Sequence, residues 1–266
     1  MKVQNRPIGI FDSGVGGLTV VRSVRKYLPN EDVVYFGDTA RVPYGNKSRP
    51  TIIRFSHEIM DFMMKKRVKM VVVACNTASS LSLPSLKKDY PVPVIGVINP
   101  GAKEAVQISR NKRIGVIGTS STISSGAYKK ELERIDKTCR VFSQSCPLFV
   151  PLVESGNFSD PFTWQIAGMY LGELKRKRVD TLILGCTHYP LLNRVIGEVL
   201  SGVRLVDSSI AVARDIKEVL SKKKLQADGK KARATAEYYV SDDPEDFRKS
   251  ATTFLKEKIK AKKVVL

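Results

Sequence analysis

Two stretches of this 266-residue chain end an apolar run on a thiol. In MVVVACNTASS (70–80) the run reaches Cys75, followed by Asn76 and Thr77. In TLILGCTHYP (181–190) it reaches Cys186, followed by Thr187 and His188. A lone cysteine in a strand is ordinarily a small buried hydrophobe. Two cysteines at matching strand ends suggest a shared task. Parallel α/β sheets bind ligands at the carboxyl ends of their strands. A helix starting just beyond would offer free N–H groups that favour anions and would lower a thiol's pKa from about 8.5. Two chemistries fit. One is redox exchange, although a disulfide here would join positions 75 and 186 without a C-x-x-C turn. The other is proton transfer from opposite sides: inverting a carbon removes a proton from one face and returns one to the other. A thiol titrates near enough to operating pH to serve as acid or base.

Other residues offer polar chemistry near these thiols or near strand ends. FDSGVGGLT (11–19) invites a nucleotide reading, but G-x-G-x-x-G would align Gly14 and Gly16 and require glycine where Thr19 stands; the Walker pattern is absent too. Asp12, beside Ser13, is either a turn or cap residue, or a carboxylate that binds an ammonium group or shifts a thiol's proton. Pro43-Tyr44-Gly45, in GDTARVPYGNKS (37–48), reads as a turn or as a binding loop offering amides and a phenol. Glu154, in PLVESG (151–156), is a surface carboxylate or a site group. His188 can orient or protonate a group beside Cys186. Cys139 and Cys146 lack such a setting and read as structural. The four cysteines lack the close-paired spacing of a zinc site, so no metal is expected.

Positioning these residues requires strands that alternate with helices. Strands are predicted over 8–13, 32–38, 70–76, 92–98, 112–118, 180–186 and 203–208. Helices are predicted over 16–29, 49–67, 120–135, 161–177 and 208–223. Ile52, Phe55, Ile59, Phe62 and Met63 form one helical stripe. The alternation implies an α/β fold with largely parallel sheets covered on both faces. IGIFDS and IGVIGT begin two similar halves, each followed by an apolar strand ending in cysteine. We therefore expect two pseudo-symmetric α/β domains: 1–98 plus 209–266, carrying Asp12 and Cys75, and 99–208, carrying Cys186. The segment from 234 onward is too small to fold alone and is expected to complete the first.

Composition narrows the classes. No apolar run approaches the roughly 20 residues of a membrane helix. The opening MKVQNRPIGIFDSG lacks a secretory hydrophobic region, so no membrane partner and a cytoplasmic location are expected. The net charge is +19, concentrated in KRKR (175–178), SKKKLQADGKKAR (221–233) and KEKIKAKK (256–263). These clusters lie far from the cysteine motifs and carry no interleaved aromatic residues. They read as solvated helix faces rather than a nucleic-acid surface, and a nucleic-acid partner is not expected. A positive field would still raise the local concentration of an anionic small substrate.

IGIFDSGVGGLTV, DTARVPYGNKS, VVACNTASS, GTSSTISSGAY, PLVESG and LILGCTHYPLL together resemble the bacterial glutamate racemases in order and spacing. The resemblance runs over nearly the whole chain and thins after about Asp207. Ser80 and Asn99 stand where relatives often carry other residues, and neither is a candidate catalytic position. The resemblance implies two α/β domains with the active site in the cleft between them, no cofactor, and interconversion of L- and D-glutamate for peptidoglycan. It implies that Cys75 and Cys186 are the opposed acid and base, that Asp12 and His188 assist them, and that Glu154 acts near Cys186. It implies substrate binding by Ser13, Pro43, Tyr44, Gly45, Asn76, Thr77 and Thr187 as well as Asp12 and His188, with Thr119 and Thr122 as additions. A homodimer is the accompanying expectation. The nearest alternative is an aspartate racemase, since a pocket distinguishes one methylene by only about 1–3 kcal/mol. A nucleic-acid binder and a thiol oxidoreductase are the alternatives of other classes.

Overall fold

The computed structural model describes residues 2–229 and 234–266. Lys230, Lys231 and Arg233 of the second basic cluster lie outside them. The described residues divide into two compact units, 2–97 with 209–229 and 234–266, and 98–208.

In chain order the first unit begins β1 (Ile8–Asp12), α1 (Leu18–Tyr27), β2 (Val33–Gly37), α2 (Arg49–Lys65), β3 (Met70–Val73), α3 (Asn76–Asp89) and β4 (Val94–Gly96). β1, β2 and β3 are buried along their full length, as near-continuous apolar runs require in a sheet covered on both faces. α2 buries its whole predicted stripe, Ile52, Phe55, Ile59, Phe62 and Met63. Those side chains join Phe11, Phe36, Val71 and Val73 from the strands in one core.

The second unit holds α4 (Ile98–Ile108), β5 (Arg113–Gly118), α5 (Ser120–Ser124), α6 (Ala127–Ile135), β6 (Arg140–Ser145), α7 (Phe149–Glu154), α8 (Pro161–Arg176), β7 (Thr181–Gly185), α9 (Asn193–Val199) and β8 (Arg204–Asp207). α10 (Ser208–Lys222) carries the chain back, and β9 (Ala236–Val240), α11 (Pro244–Leu255) and β10 (Ala261–Lys263) follow. β9 pairs with β2, so the returning segment extends the first sheet.

Among the described residues one sheet runs β10-β9-β2-β1-β3-β4 and the other β6-β5-β7-β8. Every pairing is parallel. The order β2-β1-β3-β4 therefore repeats as β6-β5-β7-β8. In each sheet the connections reverse direction at the same place, between β1 and β3 and between β5 and β7. Such switch points open a crevice at the carboxyl ends of their strands.

The structure corrects three local readings. Residues 120–135 form two helices, because Gly126 adopts φ +66° between α5 and α6. The strand predicted to end at 76 stops at Val73, and Cys75 stands as the residue before α3. Cys186 is not followed by a helix start of that kind: a short 3-10 turn, Tyr189–Leu192, comes first. Of the two thiols, only Cys75 thus stands directly before an α-helix.

The other histidine gives a pH-dependent contribution to stability. His57 Nε2 lies 3.0 Å from Asp89 Oδ2, and Nδ1 lies 2.9 Å from the Ile53 carbonyl. Burial opposes the charged imidazole, but Asp89 and that carbonyl outweigh it and raise His57 above its ordinary range. A raised folded value means that the contribution is fully present below the unfolded value of about 6.5. It is lost as pH rises through the folded value. Denaturant melts at pH 6 and 8 should therefore show the wild type losing more stability than His57→Gln, by up to about 1 kcal/mol.

Candidate active site

The register of the strands brings the candidate residues together within each unit. In the first unit Phe11 aligns with Val73, and the Ala74 N–H donates to the Phe11 carbonyl at 2.8 Å. The residues beyond them, Asp12–Ser13 and Cys75, then meet at the switch point. Cys75 Sγ lies 3.8 Å from Ser13 Oγ. Asp12 is fully buried and accepts a hydrogen bond from the Gly14 N–H at 3.2 Å. Asn76 and Thr77 are buried in the first turn of α3, directly after Cys75.

The Pro43–Gly45 stretch leads into a 3-10 turn, Tyr44–Asn46, that packs against α3. Tyr44 is buried, and its hydroxyl donates to Asp38. The same carboxylate accepts from Arg41 Nε at 2.7 Å and from Ser241 Oγ at 2.8 Å. Burial, and then the Asp38 charge, push the Tyr44 hydroxyl far above its ordinary range, so it remains a donor. Asp38 was only a strand-end marker in the sequence. One of its partners, Ser241, lies 203 positions away, which no local pattern reveals.

In the second unit Gly118 aligns with Gly185. This places Thr119, after β5, beside Cys186, after β7. The Thr119 hydroxyl caps α5 by accepting from the Thr122 N–H at 3.3 Å, and the two threonine hydroxyls lie 3.0 Å apart. Cys186 Sγ lies 3.8 Å from His188 Nδ1, and His188 Nε2 lies 3.2 Å from Glu154 Oε1. A carboxylate on Nε2 favours the proton there. Nδ1 is then left to accept a proton from the thiol or, in the imidazolium, to face a thiolate. His188 and Thr187 are buried, while the Glu154 side chain is 41% exposed. Cys146, at the end of β6, is buried, and burial pushes its thiol up. Cys139 is also raised, again chiefly by burial. Neither has the geometry of a working thiol.

The two units match residue for residue at their centres. Ile8 aligns with Met70 and Ile114 with Thr181, so Cys75 and Cys186 hold equivalent positions, as do Ser13 and Thr119. The flanking groups differ: Asp12 corresponds to Gly118, and His188 to Thr77. The first unit thus carries a buried carboxylate at the matched strand end, and the second an imidazole 3.8 Å from its thiol with a carboxylate behind it.

Close packing of backbone fixes Cys186. A Cβ on Gly185 would lie 2.5 Å from the Ile117 carbonyl oxygen, which belongs to the neighbouring strand's backbone and has no rotamer to escape into. Gly185→Ala is expected to cost about 1–3 kcal/mol and to lower activity by displacing the adjacent thiol. Thermal melts and turnover measured together check both effects.

A family model described as Asp/Glu/Hydantoin racemase matches residues 14–216. The chain is similar to the glutamate racemase of Geobacter metallireducens, with 49% identity over 256 residues covering 94% of this chain and 93% of the relative. Its fold is similar to that of glutamate racemase isoform RacE1 from Bacillus anthracis, with a TM-score of 0.96 at 36% identity, covering 99% of this chain and 98% of the other. It is also similar to the glutamate racemase from Francisella tularensis subsp. tularensis, solved in complex with D-glutamate. There the TM-score is 0.92 at 36% identity, with 99% of this chain and 98% of the other covered.

Proposed function

The chain belongs to the Asp/Glu/hydantoin racemase family and stands with its glutamate racemases, and on that premise we propose that Cys75 and Cys186 interconvert L- and D-glutamate as a pair of opposed bases. The observation that carries the proposal is the equivalence of the two thiols. Each follows the equivalent strand of a repeated topology; His188 Nδ1 lies 3.8 Å from Cys186 Sγ, and the buried Asp12 ends the strand that pairs with the one before Cys75.

One thiolate removes the α-proton, and the thiol on the other face supplies one. Asp12 takes up or returns the Cys75 proton, and His188 does so for Cys186, with Glu154 holding the imidazole. The α-proton of an amino acid is a weak acid, so the barrier falls through positioning and preorganised donors rather than through the thiols alone. Asn76, Thr77 and Thr187, with Ser13 and Thr119 at the matched strand ends, supply donors for the substrate's α-carboxylate as charge builds on it. The Pro43–Tyr44–Gly45 turn presents the backbone amides of Tyr44 and Gly45 toward the rest of the substrate, with the Tyr44 phenol tying the turn to Asp38 and Thr122 supporting Thr119. No cofactor enters these steps. The reading includes a cytoplasmic location, supply of D-glutamate to peptidoglycan synthesis, and a homodimer, which sedimentation at micromolar concentration would read.

The test is to incubate the protein with L-glutamate and, separately, with L-aspartate, without added cofactor, and to follow optical rotation. The expected result is loss of rotation with glutamate at a far higher kcat/KM than with aspartate. Preference for aspartate would move the protein to the neighbouring specificity, and inertness toward both would overturn the proposal.

A further inference from the structure

Asp12 sits in a loop whose shape is fixed from outside. Tyr35 lies on β2, aligned with Ile10 of β1, and is fully buried. Its hydroxyl crosses to the loop after β1 and donates to the Gly14 carbonyl at 2.6 Å. The N–H of the same Gly14 donates to the Asp12 carboxylate. A second junction lies at Gly17, where a Cβ would stand 2.5 Å from Asp12 Cβ and 2.9 Å from the Tyr35 hydroxyl. The carboxylate-bearing side chain and the phenol thus converge on one bare glycine.

We propose that Tyr35 is a positioning residue for the reaction: its hydroxyl, acting through Gly14, fixes the Asp12–Gly17 loop and with it the carboxylate that serves Cys75. The inference rests on the assignment of Asp12 to that thiol. The ring is itself held from the returning segment. Phe247 of α11 stacks on it with centroids 6.0 Å apart, and Tyr238 of β9 packs at 6.2 Å. Burial, and then the charges of Asp12 and Cys75, push the Tyr35 hydroxyl well above its ordinary range, so it stays a donor throughout the working pH range. The return of the chain to the first sheet therefore buttresses the loop that carries a catalytic carboxylate.

Tyr35→Phe removes the donor and keeps the ring. It should lower kcat by about ten- to hundredfold with KM little changed. The deciding readout is the primary isotope effect on kcat/KM with α-deuterated L- and D-glutamate. If the step at Cys75 alone slows, the isotope effect rises for the enantiomer whose proton Cys75 removes. It falls for the other, because abstraction by Cys186 then becomes a pre-equilibrium. Tyr238→Phe, which trims the neighbouring ring, should leave both enantiomers at wild-type values. Should Tyr35→Phe fail to fold, Gly17→Ala asks the same question from the opposite side of the junction and should give the same asymmetry. Isotope effects that stay at their wild-type values for both enantiomers, or a kcat within twofold of wild type, would overturn the role while leaving the racemase reading intact. A wild type that racemises nothing would overturn both.

Discussion

Replacing either Cys75 or Cys186 with serine is expected to lower kcat by about 10²–10⁴-fold, the usual worth of a positioned acid or base. Serine preserves size, and both positions are more than nine-tenths buried, so the fold should survive. The hydroxyl, however, has no useful basicity near neutral pH. The two proton transfers are consecutive parts of one inversion, so either substitution alone blocks it. The double variant should lose little beyond the worse single one, because residues that act as a unit are strongly non-additive. KM should move far less than kcat, since the proposed donors for the substrate lie on other residues. Circular dichroism of glutamate during turnover measures all of this. Either single variant retaining activity within about threefold of wild type would remove that thiol from the acid–base role.

The largest expected effect on stability lies away from the site, at Lys69. This residue is almost wholly buried just before β3, ion-paired with the buried Glu31. Its ammonium also donates to the Gln4 carbonyl at 2.6 Å, and Glu31 accepts from the Ala227 N–H at 2.9 Å. The pair therefore ties the start of β3 to the N-terminal turn and to the segment after α10. Lys69→Met leaves the Glu31 carboxylate buried and uncompensated, which should cost about 3–5 kcal/mol. Pairing it with Glu31→Leu removes that orphaned charge. The double variant should recover most of the loss, less the contribution of the Ala227 contact. Urea melts of the three variants test this, and additive losses would contradict it.

The central strands were legible because each is a run of apolar residues bounded by turns, and α2 because its stripe keeps a helical period. The cysteine motifs were legible because two polar tails follow two apolar runs in register with a duplicated pattern. β6, RVFSQS, was missed because as an edge strand it is nowhere fully buried and has no apolar run to betray it. β10, Ala261–Lys263, hides its pairing inside a basic cluster; lysines on an edge strand discourage further pairing. Part of that charge is thus explained by sheet structure rather than by a partner. The break at Gly126 is set by a single left-handed residue within an otherwise helical pattern. The supports of the site were invisible for a different reason. Tyr35 reads as one more apolar strand residue and Asp38 as a strand-end polar residue; Lys69, away from the site, falls in the gap between a predicted helix and a predicted strand. Each gains its meaning from partners distant in sequence, which only the folded chain supplies.

The most direct test of the two-base account is the fate of hydrogen in D2O during the first few per cent of conversion of unlabelled L-glutamate. A thiol carries one proton, so the base that takes the substrate's hydrogen can return only that hydrogen to the same face. The opposite thiol delivers solvent deuterium. The account predicts that newly formed D-glutamate carries α-deuterium while recovered L-glutamate remains unlabelled. Starting from D-glutamate should give the mirror result. D-glutamate that retains the substrate's own α-hydrogen, or L-glutamate that gains deuterium as fast as product forms, would mean that one base serves both faces and would contradict the pairing of Cys75 with Cys186.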